Sequence, residues 1–117
     1  MEMQVEPLPG GAVCLALTGR LDMHGAQALE AQVLQAVAAS PGDVLLDLAR
    51  VGFLSSMGVR LLIAAARAQR QRGRQLLLFG AQSTVKSTLA MVALDQIVPI
   101  LPNRESALAW LDRPPAP

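Results

Sequence analysis

Aromatic residues are nearly missing from this chain: among 117 residues there is no Tyr, one Trp and two Phe, 3% in all. Any core must therefore be aliphatic, and the 52% hydrophobic content is enough to build one. A single cysteine, Cys14, excludes an intramolecular disulfide. It lies in an apolar run and reads as a buried core residue. With one Cys and one His, the usual clusters of metal-ligating side chains cannot form. His24 reads as an exposed loop residue, and no motif implies a cofactor. Charge is also scarce, at 16% of residues with a net charge of +1. That balance lacks the basic excess of a nucleic-acid binder. Apolar runs stop far short of the roughly 20 residues of a membrane span. No basic stretch followed by an apolar one marks a secretory signal. The expectation is a soluble, cytoplasmic protein with no membrane span and no direct nucleic-acid contact.

The segments that are present alternate between two periods. Met3 to Glu6 is weakly strand-like, and Pro7 to Gly11 is a turn. Ala12 to Thr18 reads as a strand that Gly19-Arg20-Leu21-Asp22 should break. Asp22 suits a helix N-cap or the loop before a helix, and Ala26, Leu29, Val33 and Val37 follow at helical spacing. Ser40-Pro41-Gly42 should stop that helix. Asp43 to Leu48 reads as a buried parallel strand, and a brief turn should precede Phe53 and Leu54. A second helix runs from Ser56 to Arg72, with Gly73 placed as a C-terminal cap. Gln75 to Phe79 is a strand. Ser83 should cap a third helix bearing Val85, Leu89 and Val92. Ile97 to Ile100 suits an edge strand, and Asn103 a cap for a last helix closed by Trp110. Arg113 to Pro117 reads as a frayed, Pro-rich tail. The order is β-β-α-β-α-β-α-β-α, an α/β fold with a mainly parallel sheet. One domain is expected over 1–113, with 114–117 disordered.

Chemistry is sparse. No Gly-x-Ser-x-Gly elbow surrounds a serine, and no Gly-rich phosphate loop occurs. Val85-Lys86-Ser87-Thr88 reads as helix surface. Asp43 and Asp47 read as strand-end carboxylates rather than a catalytic pair. Arg67, Arg70, Arg72 and Arg74 read as a solvated helix end, with a phosphate-binding patch as the alternative. The informative junction is Phe53-Leu54-Ser55-Ser56-Met57-Gly58. One serine would cap the second helix, and the other would stand in its first turn, near free N–H groups. A phosphate there would meet the positive end of the helix dipole. It would add roughly −1.5 to −2 charges and so change the surface while sparing the fold. The plain alternative is capping alone.

Three stretches carry a resemblance: Leu17-Thr18-Gly19-Arg20-Leu21-Asp22, Val44-Leu45-Leu46-Asp47-Leu48, and Phe53 to Leu62. Together they resemble the signature segments of STAS domains, most closely the bacterial anti-sigma factor antagonists. The resemblance implies a mixed sheet of four to five strands with four helices packed mainly on one face. It implies a non-enzymatic protein that binds an anti-sigma factor, often a serine-protein kinase, and thereby frees a sigma factor. The kinase phosphorylates the first serine of an Asp-Ser-Ser-Gly motif, and a serine phosphatase reverses the mark. In this chain Ser55 stands at the aspartate, Ser56 at the phosphorylated serine, Met57 at the second serine and Gly58 at the glycine. Asp22 matches the loop aspartate beside the site. Ser55, in place of an acid, is the alternative acceptor, and a third outcome is that neither serine is modified. The implied partner surface is Asp22, His24, Ser55, Ser56, Met57, Gly58 and Arg60, with Met57 as an adaptable apolar contact. Two competing readings stand beside this one. The chain could be an unphosphorylated scaffold or sensor subunit of a stress-signalling or lipid-transport complex, or a small enzyme using Ser56 as nucleophile.

Overall fold

The computed structural model describes residues 1–111. The elements are β1 (Glu2–Pro7), β2 (Val13–Leu21), α1 (Met23–Ala39), β3 (Val44–Leu54) and α2 (Ser56–Gln71). They continue as β4 (Leu76–Phe79), α3 (Ser83–Met91), β5 (Ile100–Leu101) and α4 (Arg104–Leu111). The five strands lie in the order β1-β2-β3-β4-β5. β1 is antiparallel to β2, and the other neighbours are parallel. This is the mixed sheet that the resemblance implied.

The unbroken apolar runs follow from covering both faces of the sheet. Along β3 and β4, Leu46, Leu76 and Leu78 join the core under α1, α2 and α3. Alternate residues Leu45, Leu77 and Phe79 pack with Cys14 and Ala107 against α4 on the other face. Trp110 is half-buried there beside Leu108 and Leu111. The helical stripe Ala26, Leu29, Val33 and Val37 is fully buried. Burial pushes the Cys14 thiol up to about 11, and acidic Asp47 and Glu6 add to it against the pull of Arg104.

Several local expectations give way to pairing. β2 does not break at Gly19 but continues to Leu21, with Arg20 opposite Phe53 and Leu21 opposite Leu54. β3 likewise runs through the expected turn to Leu54. The register shifts between Ala16 and Thr18 and again between Gly19 and Arg20. Extra β3 residues at Leu48–Ala49 and at Gly52 absorb these shifts as bulges. Asp47 Oδ1 accepts from Ala49 N at 2.9 Å beside the first bulge, and Asp43 Oδ1 accepts from Gln75 N at 2.9 Å. Ladder hydrogen bonds thus outweigh the local breakers.

Gln82, not Ser83, is the N-cap residue of α3, and it makes no side-chain cap bond. Val92 lies beyond that helix and is exposed rather than core. The last strand is shifted to Ile100–Leu101, because Pro99 has no N–H to donate. Asn103 does cap α4, its Oδ1 accepting from Ser106 N at 2.8 Å. His24 is exposed but helical, in the first turn of α1. Three of the four crowded arginines are not merely solvated: Arg70 donates to Ile97 O at 3.4 Å, and the other two reach the end of α1. Arg72 donates to Val37 O and Ala38 O at 2.7 Å each, and Arg74 donates to Ser40 O. Arg72 and Arg74 thus satisfy the last carbonyls of α1, a neighbour's helix end rather than their own. The 114–117 tail lies outside the described residues.

Candidate functional site

β2 and β3 end side by side, and each hands over to a helix after one residue. Asp22 caps α1, its Oδ1 accepting from Gly25 N at 2.8 Å. Ser55 caps α2, its Oγ accepting from Gly58 N at 3.2 Å. The same Ser55 hydroxyl donates to Leu21 O at 2.7 Å, and Ser55 N donates to that oxygen at 2.9 Å. Ser55 therefore ties the start of α2 to the end of β2. Gly58 lets the helix come that close: a Cβ on it would meet Leu21 O and Leu54 Cδ1 at 2.7 Å each. Gly25 does the same for α1, where a Cβ would fall onto the carbonyl oxygen of Arg20.

Ser56 is the first residue of α2 and is exposed. Among the described residues its hydroxyl makes no hydrogen bond, so no His, Lys or carboxylate is hydrogen-bonded to it to activate it as a nucleophile. It opens onto a groove of about 430 Å³ shared with Phe53, Leu54, Ser55, Val59, Thr88 and Val92. Met57 opens onto a different groove, of about 170 Å³, shared with Ala26, Gln27, Glu30, Arg60 and Leu61. Two neighbouring residues thus face two sides of α2. On the strand side, Arg20 lies with its guanidinium carbon 4.5 Å from the Phe53 ring centre. Its Nε is 3.8 Å from Asp22 Oδ2.

The fold thus gathers the residues singled out in the sequence. Asp22 and His24 start α1, Ser55 to Arg60 start α2, and the Ser55–Leu21 bonds join the two starts. Phe53, Thr88 and Val92 belong to the groove and were not singled out. Val92 fits the helical stripe of α3 by spacing, which masks its exposure. Among the described residues no group of three His, Cys, Asp or Glu is arranged to hold a metal ion. No helix among them is long and apolar enough to cross a membrane.

Residues 6–102 match a family model described as Mlab, STAS domain. This chain belongs to the STAS domain family. Several proteins it resembles are anti-sigma factor antagonists. A candidate anti-sigma factor antagonist, BtrV of Bordetella bronchiseptica, is 29% identical over 99 residues, 85% of each chain. The solved anti-sigma factor antagonist of Mycobacterium paratuberculosis is 25% identical with a TM-score of 0.82, over 96% of this chain and 94% of that one. Unphosphorylated SpoIIAA superposes at a TM-score of 0.77 with 21% identity, over 94% of this chain and 96% of its own. Phosphorylated SpoIIAA, from Bacillus, superposes at 0.70 with 20% identity, over 94% and 99%. At that identity SpoIIAA speaks for the STAS fold alone.

Proposed function

We propose that this STAS domain is an anti-sigma factor antagonist. It binds an anti-sigma factor that is itself a serine-protein kinase, which frees a sigma factor, and phosphorylation of Ser56 ends the binding. A serine phosphatase restores the binding form. The carrying observation is the contrast between two adjacent serines. Ser56 is exposed and its hydroxyl is unengaged, whereas the Ser55 hydroxyl is already used twice. A kinase acting on Ser55 would have to break both bonds, and one acting on Ser56 breaks none. A phosphate on Ser56 would sit at the positive end of a 16-residue helix, so α2 would tolerate it. The partner would instead meet about two new negative charges where it docks.

The test is binding of the cognate anti-sigma factor to wild type, Ser56→Ala, Ser56→Asp and Ser56→Glu. The partner is first identified as an ATPase-class kinase captured from native lysate by wild type. Ser56→Ala should bind like wild type, and the two acidic variants should bind at least about tenfold more weakly, a loss of about 1.4 kcal/mol. Equal binding by all four would refute the switch. A second reading, an unmodified scaffold or sensor subunit, draws on Ser55 standing where the family motif has an acid. Intact-mass analysis of the native protein, prepared with phosphatase inhibitors, separates the two. A phosphorylated species supports the switch, and its absence under every growth condition supports the scaffold.

A further inference from the structure

We infer that the groove beside Ser56 seats an apolar side chain of the protein partner, and that Arg20 takes a carboxylate adjacent to that side chain in the partner. This rests on the reading above that the face around Ser56 binds a protein, and it specifies the chemistry of what is bound. Phe53, Leu54, Val59 and Val92 give the groove its apolar walls, Ser55, Ser56 and Thr88 contribute hydroxyls, and no charged residue lines it among the described residues. Phe53 is 39% exposed and Val92 46%, in a fold that buries most of its large aliphatic side chains. Met91, next to Val92 in the chain, is 85% exposed. Large apolar side chains left in water on the wall of a groove, as Phe53 and Val92 are, mark a contact surface.

Arg20 supplies the charge. Its side chain is 64% exposed, and it stacks over Phe53, one wall of the groove. Stacking occupies the face of a guanidinium and leaves its in-plane N–H donors for a carboxylate. Asp22 pairs with Arg20 only loosely: its Oδ2 lies 3.8 Å from Arg20 Nε, too far for a hydrogen bond, and its Oδ1 is committed to Gly25 N. The Arg20 side chain makes no hydrogen bond among the described residues. The groove therefore offers apolar walls with a cation at one edge, which matches an apolar residue flanked by Asp or Glu. A partner Lys or Arg at that place would be repelled. The same geometry explains why a phosphate on Ser56 would expel the partner. It would force a dianion into a seat whose walls are apolar, and burying an unpaired charge there is costly.

The experiment selects displayed random peptides on the full chain as wild type, Arg20→Glu, Val92→Glu and Ser56→Asp. Thermal unfolding first confirms that each variant is folded. Wild type should enrich peptides carrying Asp or Glu within about two positions of Leu, Ile, Met or Phe, the short anchor pattern expected of groove recognition. Arg20→Glu should shift the enrichment to Lys or Arg beside the same apolar residues. Val92→Glu should hold the wild-type peptides at least about tenfold more weakly. Enrichment without acidic bias, identical peptides from Arg20→Glu, or no enrichment above Val92→Glu would each overturn the inference. The Ser56→Asp arm tells the two claims apart. If it holds the selected peptides unchanged, the seat stands and the switch falls. If no acidic-apolar peptide emerges while Ser56→Asp still releases the kinase, the switch stands and the seat falls.

Discussion

Replacing Ser55 with alanine removes one oxygen and two hydrogen bonds from the place where β2, β3 and α2 meet. The first is the cap to Gly58 N, at 3.2 Å. Loss of a serine N-cap typically costs about 1 kcal/mol. The second is the bond to Leu21 O, at 2.7 Å. It contributes about 1 kcal/mol net. Leu21 O keeps the Ser55 N–H at 2.9 Å, so no carbonyl is orphaned and no further penalty applies. The expected loss is about 2 kcal/mol, which for a domain near this length lowers the melting midpoint by roughly 8 °C. Ser55→Asp restores the cap acceptor of the family motif but cannot donate to Leu21 O when ionised. It should therefore fall between the two, about 1 kcal/mol below wild type. Urea denaturation followed by far-UV circular dichroism measures all three, with the denaturant slope unchanged because the lesion is local. Wild-type stability in Ser55→Ala would refute the account of Ser55 as the tie between strand and helix.

Gly58→Ala adds a methyl against Leu21 O and Leu54 Cδ1 at 2.7 Å. Crowding of that kind costs about 1–3 kcal/mol, more than the roughly 1 kcal/mol gained in helix propensity. Its denaturation midpoint should drop, and a stabilised variant would contradict the close approach. Arg72→Ala removes both bonds to the last carbonyls of α1 and should cost about 1–2 kcal/mol, with faster amide exchange concentrated near Val37 to Ser40. Uniform exchange changes across the molecule would disprove the local clamp. The raised Cys14 thiol loses its proton later in the folded chain than in the unfolded one. It should have no effect on stability below about pH 9, and stability should fall as pH rises from 9.0 to about 11. Cys14→Ala should flatten that slope. At pH 8 the native thiol should react with an alkylating reagent far more slowly than in urea.

Much of the architecture was legible because its signals are local. The Ala26-Leu29-Val33-Val37 stripe, the Asp22 and Asn103 caps, the Gly73 stop and the apolar β4 run each declare an element by themselves. The longer reach of β2 and β3 was not legible. Gly19 and Gly52 look like breakers, and only the pairing of each strand with the other carries them through. The site divides in the same way. Asp22, Ser55, Ser56 and Gly58 could be found along the chain because helix starts have a vocabulary of their own. The groove could not, since Phe53 comes from a strand, Val59 from one helix, Thr88 from another, and Val92 from just beyond that helix's end. Val92 in particular keeps the spacing of a core residue and loses its burial only because α3 ends just before it. The role of Arg72 and Arg74 was hidden for the same reason, because their acceptors lie 34 or 35 residues away in the chain.

Ser56 and Met57 are consecutive, yet they open on two different flanks of α2, roughly 100° apart around the helix axis. A partner that covers the start of this helix has to grip it as pincers do, with one jaw on the Phe53–Val92 side and the other on the Ala26–Glu30 side. The jaws share little more than the helix between them. Substitutions at Phe53 and at Glu30, which lie on the two flanks, far apart in the chain and on different elements, are the pair whose effects on binding should add most nearly.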